Sequence, residues 1–547
     1  MSRTSPLSPP KLRDEVYRSG DSEYPLTRFD EIHSALTSRT YTRHMAGSDS
    51  REIERKYAIA DSRPIPALVS LAGVARVQRP RVLTLEAVYF DTAELSLDEQ
   101  HITLRRRTGG DDAGWHLKLP VSADERSELH EPLGTDPELV PARLGRMVAV
   151  HTRGRALVPV VNLKTRRTVR RLLGPNDEIL GLFCDDEVEA VRLVPSSLSQ
   201  SWREWELELV DGDSSMLDAA DTLFAAAGVV RSESPSKLAH ALGVREPRRS
   251  LSAPPAPRSS GELLAAAFAD YRRELVSQDP RVREELPDAV HRMRVSVARM
   301  RAAIATFRPL LSDEAHSRLR PELSWIGHTL GAARDAEVMI AWAASVLRSE
   351  PVDLVLGPIA DRMERQLRLD SDEARSVLRD VLDSSRYFRL LDSVDALASG
   401  ELLTSLADTR AKDALPELVN RRIARLRRAM HLADKARDPS QHDLALHEVR
   451  KEAKKVRYAA QLISPLRPKR TKRLATAATA IQEVLGTHQD SVVARQALLR
   501  LSTDAHNAGE NTFTYGRLHA IEQARAEDSE AEYERAIRRI PKSLDTA

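Results

Sequence analysis

The stretch Glu52-Ile53-Glu54-Arg55-Lys56, read as a β-strand, puts Glu52, Glu54 and Lys56 on one face, since successive strand side chains point to opposite sides. Two carboxylates and an ammonium in a row cannot form an apolar core face, because burying them unpaired is costly. They fit a wet, charged cavity in which the carboxylates hold a hard cation and the lysine meets an anion. A solvated strand edge is the plainer alternative for so short a pattern.

Neighbouring segments repeat this arrangement. ITLRRRT, GWHLKLP, LVPVVNLKTRRTV, ILGLFCDDEVEAV and WREWELELV are each bounded by Gly, Pro, Asp or Asn, which predicts short antiparallel strands forming a sheet or barrel. Arg105 and Arg107 lie two apart, as do His116 and Lys118, and Lys164 and Arg166, so each pair shares a strand face. Glu204, Glu206 and Glu208 form an acidic row backed by Trp205, Leu207 and Leu209. Closing such strands would gather carboxylates in one interior sector and Arg and Lys in another, and a polyanion carrying a divalent metal suits both. A sheet with one solvated face and cross-strand ion pairs is the competing reading. Leu217–Gly228 and Ser236–Leu242 read as helices closing this unit.

The chain of 547 residues is too long for one core, and with 83 Lys+Arg against 81 Asp+Glu any anion binding must come from local segregation of charge. The single cysteine, Cys184, excludes a disulfide framework and a thiolate metal cage, and it points to a reducing compartment. No apolar run approaches the roughly 18–20 residues of a membrane span, and no signal-peptide core is evident, so a cytoplasmic location is expected. Residues 1–48 read as a disordered tail, with Met45 an alternative start, and residues 245–260 as a Pro/Ser-rich linker.

Beyond the linker the texture is helical and internally duplicated. His291-Arg292-Met293-Arg294 recurs 156 residues later as His447-Glu448-Val449-Arg450, and Arg299 and Arg301 recur as Lys455 and Arg457. Leu330-Gly331-Ala332-Ala333-Arg334-Asp335 recurs after 155 residues as Leu485-Gly486-Thr487-His488-Gln489-Asp490. This predicts two homologous helical bundles, about 261–400 and 401–540. On a wheel of about 100° per residue, His447, Arg450, Lys454 and Arg457 fall within about 80°, opposite Val449, Ala453, Val456 and Ala460. Such a stripe of like charge repels itself unless an anion lies along it. His291, Arg294 and Arg301 repeat the face, but Ala298 replaces its central cation.

These residues resemble two known families. Glu52, Glu54 and Lys56 match the E-x-E-x-K of the CYTH domain, or triphosphate tunnel metalloenzyme fold. Tyr89-Phe90-Asp91-Thr92, Leu104 to Arg107, Lys118, Arg126-Ser127-Glu128, Lys164-Thr165-Arg166, Asp186, the Glu204/Glu206/Glu208 row and Ser236-Lys237-Leu238 follow in that family's order across residues 49–244. The resemblance implies an α+β protein with an eight-stranded antiparallel barrel open at both ends. Within it, triphosphate would bind through Mg²⁺ or Mn²⁺. It implies Glu52, Glu54, Asp186, Glu204, Glu206 and Glu208 as metal-side residues, with Asp185 an alternative to Asp186. Arg105, Arg107, Lys118, Lys164, Arg166 and Lys237 would bind phosphate, and Lys56, Glu52 and Glu54 would be catalytic. His116 reads as a tunnel-wall residue.

The helical half, 261–540, resembles the CHAD (conserved histidine α-helical) domain through H-x-x-R with its basic cluster and L-G-x-x-R-D, each present twice, with Gln489 departing from the second motif. That resemblance implies a basic groove for inorganic polyphosphate. His291, Arg294, Arg299, Arg301, Arg334, His447, Arg450, Lys454, Lys455 and Arg457 are its candidate residues. The two histidines are phosphate contacts or groove-shaping residues, and Asp335 and Asp490 would orient basic side chains. The combined expectation is a triphosphatase cleaving tripolyphosphate to pyrophosphate and phosphate beside a polyphosphate-binding module. The competing readings are a non-catalytic polyphosphate-binding protein, an enzyme acting on an organic triphosphate (including a cyclase), and a nucleic-acid binder, which near-neutral charge and 4% aromatics disfavour.

Overall fold

The structure, a computed structural model, describes residues 49–59, 63–122, 124–136, 138–194, 196–243 and 258–546. The expected tail 1–48 with Met45, and most of the expected linker, lie outside the described residues. The first half is a closed antiparallel barrel. Its strands are β1 (Asp49–Ile59), β3 (Arg81–Asp91), β4 (Thr103–Thr108), β5 (Gly114–Pro120), β6 (Glu125–Glu131), β7 (Val158–Leu173), β8 (Ile179–Arg192) and β9 (Leu198–Leu209). They run in the order β1-β6-β5-β4-β3-β7-β8-β9, and β9 pairs back onto β1. Two short strands, β2 (Arg76–Val77) and β10 (Val230–Arg231), add to β7 and β1.

Strand alternation sorts the barrel's side chains. Outward Tyr57, Phe183, Trp205 and Leu207 are buried by Met216, Leu217, Ala220 and Phe224 of helix α2 (Ser214–Ala226). Outward Phe90, Leu104, Trp115 and Leu117 are buried by Leu144, Met147 and Val148 of helix α1 (Ala142–Thr152), an element with no clear sequence signature. Helix α3 (Lys237–Leu242), capped by Ser236, packs Leu238 and Ala241 among the inward-facing Ala87, Tyr89, Leu163, Val188 and Ala190. This apolar packing lines one part of the barrel's inner face, beside the charged part that Lys237 enters.

The helical half has α4 (Ser260–Arg283), α5 (Ala289–Thr306), α6 (Asp313–Ser349), α7 (Ile359–Leu382) and α8 (Ser385–Ala398) from the first repeat. The second repeat gives α9 (Ala411–Lys435), α10 (Pro439–Leu462), α11 (Pro468–Asn507) and α12 (Phe513–Ile537). The repeats do not keep separate cores. Met293, Val297 and Met300 of α5 share one cluster with Val449, Ala453 and Val456 of α10. A second cluster joins Ala343, Val346, Met363 and Leu367 to Leu498, Leu501, Tyr515 and Leu518. The long helices α6 and α11 thread both clusters, which is why the two repeats share their cores. No described helix is long and apolar enough to cross a membrane.

Candidate functional site: a charged tunnel and a basic groove

The E-x-E-x-K strand lies where the barrel closes, because β1 pairs β6 through its first half and β9 through its second. Glu54 stands directly opposite Glu208, and Lys56 opposite Glu206. Asp186 stands opposite Glu204 on the same inner face. Asp185 points outward and pairs with Arg203 at 2.7 Å. The inner face encloses a polar cavity of about 110 Å³ lined by Glu52, Glu54, Lys56, Arg105, Arg107, Lys118, Glu206, Glu208 and Lys237.

Two residues expected here are elsewhere. Lys164 and Arg166 are exposed on the outer face, and Arg166 pairs with the exposed Glu187 at 3.1 Å. The expectation had the strand parity wrong by one: Thr165 and Arg167 are the inward pair, opposite Val188 and Asp186. Arg167 meets Asp186 at 2.6 Å and also Glu206. In the run Lys164-Thr165-Arg166-Arg167-Thr168, three cations spread over both faces, and only the register against β8 separates them.

The acidic residues form two groups. Asp186, Glu204 and Glu206 converge with ligand atoms within 4.8 Å of one another, and the Lys237 ammonium sits among them at 2.8, 2.7 and 2.6 Å. Burial alone would lower the Lys237 pKa, but these three carboxylates hold it well above its ordinary value. The trio holds the Lys237 ammonium here, and the same convergent oxygens of Asp186, Glu204 and Glu206 are spaced to receive a metal ion. The second group is Glu52, Glu54 and Glu208. Glu52 pairs with Lys118, and Glu54 with Lys56 at 2.8 Å. Glu208 has no ion pair among the described residues. Burial, then Glu52 and Glu54, push its carboxyl up to about 7. Like charges directly opposite on neighbouring strands are destabilising, and a cation between Glu54 and Glu208 would relieve that repulsion. This all-oxygen donor set fits a hard divalent ion such as Mg²⁺ or Mn²⁺.

The cationic wall is under-neutralised. Arg105 bonds Tyr89 Oη at 3.3 Å, and Arg107 meets Asp112 at the rim. The Nε atoms of both are buried without a hydrogen-bond partner. Burial, with Arg105 and Arg167 close by, lowers Arg107 to about 9. Two adjacent guanidinium groups with unmet donors have the chemistry an oxyanion requires. His116 is held between Glu128 Oε1 at 2.8 Å and the Asp112 carbonyl at 3.0 Å, in the tunnel wall.

In the helical half a groove of about 990 Å³ opens between the repeats. It is lined by Arg294, Arg301, His447, Arg450, Lys454 and Lys455 of the expected set. Four expected residues lie off its lining: exposed His291; Arg334, turned to Glu337 at 2.9 Å; Arg299, 6.0 Å from the Tyr458 ring; and Arg457, over that ring at 5.6 Å and bonded to Gln482. Burial, Arg450 and Arg294 lower Lys454 to about 7. Asp335 faces Arg294 at 3.8 Å, and Gln489 Oε1 accepts from His447 Nδ1–H at 2.7 Å. His316, Arg320 and His328 of α6 also line the groove. The i,i+4 spacing His316, Arg320, Ser324, His328 was the available signal, on a helix without the duplicated motif.

Comparison with known proteins agrees with this division. The CYTH domain profile matches residues 50–242 and the CHAD domain profile residues 266–499. An uncharacterized protein of Mycobacterium tuberculosis (strain H37Rv) is 35% identical over 514 residues, covering 91% of this chain and 97% of that protein. Among solved structures, PptA from Streptomyces chartreusis is similar at 24% identity and TM-score 0.43, over 51% of this chain and 99% of that one. The CHAD domain from the plant Ricinus communis is similar at 25% identity and TM-score 0.43, over 53% and 94%.

Proposed function

The chain belongs to the family of proteins in which a CYTH domain is followed by a CHAD domain, and we propose that it hydrolyses inorganic triphosphate in the barrel while the helical groove holds polyphosphate. The observation that carries this reading is the facing of Glu52, Glu54 and Glu208 by Arg105, Arg107 and Lys118 across one small cavity. Pure anion binding needs only the second set. Tyr89 is the aromatic residue of the lining, so the cavity offers little for a nucleobase to stack on and favours an inorganic chain.

Glu52, Glu54 and Glu208 are the residues that would hold Mg²⁺ or Mn²⁺, and the bound ion would offset charge on phosphate oxygens and lower the pKa of a bound water. Arg105 and Arg107 direct their unmet donors at the phosphates, which replace Asp112 as the partner of Arg107. Lys118 and Lys56, paired with Glu52 and Glu54 in the same cavity lining, would turn to the triphosphate once a cation takes those carboxylates. Glu208, whose carboxyl burial and the facing Glu52 and Glu54 raise to about 7 while the site holds no cation, is the ligand whose deprotonation the cation would draw out. Lys237, held by its three carboxylates, fixes that acidic trio at the edge of the cavity.

The test is phosphate release from tripolyphosphate with Mg²⁺ or Mn²⁺, with ATP and long-chain polyphosphate in parallel. Fast metal-dependent release from tripolyphosphate, lost in Arg107→Ala, supports the reading. No turnover of any substrate, with polyphosphate still bound, would leave a binding protein.

A further inference from the structure

Away from the tunnel and the groove, three helices of the second repeat bring two imidazoles and two carboxylates together. His442 and Asp443 lie in the opening turn of α10, His488 in the middle of α11 and Glu530 on α12. His488 is 3% exposed, and its Nε2 lies 3.2 Å from Glu530 Oε1 and 3.4 Å from Asp443 Oδ1. The ligand atoms of these three all lie within 4.8 Å of one another. His442 Nε2 approaches the other oxygen of the same carboxylate, Glu530 Oε2, at 3.5 Å.

The tautomer of His442 makes this more than an ion-pair cluster. Its Nδ1 lies 3.1 Å from the Ala433 carbonyl, which can only accept, so Nδ1 carries the hydrogen. In the neutral ring Nε2 is then a bare lone pair aimed at a carboxylate oxygen, a repulsive contact unless a cation lies between. An imidazole fixed through Nδ1 by a backbone carbonyl, with Nε2 directed at a carboxylate, is the arrangement of a metal-ligating histidine and its outer support. One imidazole nitrogen and two carboxylates converge, with His442 on the second oxygen of Glu530, and such a mixed nitrogen and oxygen set suits a first-row divalent ion such as Zn²⁺ better than Mg²⁺.

We propose that Asp443, His488 and Glu530, with His442 closing in on the second oxygen of Glu530, form a transition-metal site that staples α10, α11 and α12 together. The site belongs to the second repeat alone: the internal offset carries His442, Asp443 and His488 onto Leu286, Pro287 and Ala333, which offer no ligands. It also adjoins the groove, since His447 lies about one turn further along α10 and its partner Gln489 follows His488 directly. Bound metal would fix the two helices that carry that pair, and so would pre-set this wall of the groove.

Co²⁺ titration of the full chain tests this. Four-coordinate Co²⁺ with imidazole ligands gives intense visible bands, whereas an all-carboxylate tunnel site does not. The expected result is such a band that Zn²⁺ displaces, kept in Glu54→Gln and lost in Glu530→Gln and in the half-exposed His442→Gln. Zn²⁺ affinity by chelator competition should fall by more than the roughly 10–100-fold typical of losing an outer-sphere partner. Circular dichroism checks that each variant is folded. No band in the wild type, or equal bands in all variants, would overturn the site and leave protonated imidazole ion pairs.

Discussion

Glu208 is the residue whose chemistry depends most on its surroundings. Its carboxyl is raised to about 7 by burial, Glu52 and Glu54, so it is protonated at mildly acid pH. Metal binding requires the carboxylate, and Mn²⁺ affinity should climb as the pH rises to about 7 and then level off. In Glu208→Gln that slope should flatten, as read by titration calorimetry between pH 5.5 and 8. The linkage has the opposite sign for stability without metal. A carboxyl raised above its unfolded value of about 4.3 contributes stability that is lost as the pH rises through about 7. Chelated Glu208→Gln should therefore be about 1 kcal/mol or more stabler than wild type at pH 8, and no more stable at pH 4. Glu54→Gln should lower metal-dependent phosphate release by about 100-fold or more in steady-state assays.

At the scale of elements, α10 and α3 each trade stability for placement. Lys454, lowered to about 7 by burial and its guanidinium neighbours, is largely neutral at pH 8 and gains its charge as the pH falls. Polyphosphate binding should thus tighten from pH 8 to pH 6, and Lys454→Met should weaken that dependence while stabilising the free protein. Fluorescence polarisation at fixed salt reads the first, thermal unfolding the second. Helix α3 is only one and a half turns long, and the Ser236 hydroxyl accepting from Ala239 N–H fixes its start. Ser236→Ala should cost about 1 kcal/mol and should impair activity further by loosening Lys237 within its clamp.

The whole molecule depends on one helix with two faces. Leu144, Met147 and Val148 of α1 cover the barrel, while Val150 of the same helix enters the large core of the helical half. Arg143 reaches Glu284 at 2.6 Å, and Arg153 reaches Asp395 at 2.8 Å, flanking that contact. Putting a charge at Val150 costs several kcal/mol unless the domains part. Val150→Asp should therefore split one calorimetric unfolding transition into two, with tunnel activity retained at temperatures below the first.

The E-x-E-x-K strand, the acidic row on β9 and the duplicated basic stripe were readable because alternation and helical periodicity are properties of the chain itself. They determined the barrel, the helical half and the sign of each interior sector. Register was not readable there, since it depends on which strand lies alongside. Lys164 and Arg166 were therefore assigned to the wrong face, and Arg167 was missed. Only the tertiary structure decided that Lys237 fills the Asp186, Glu204 and Glu206 clamp, that Glu208 is left facing Glu54, and that Arg334 turns from the groove to Glu337. The physical reason is common to all three. A charged side chain's role is set by the partners within a few ångströms, and those partners come from segments far apart in sequence.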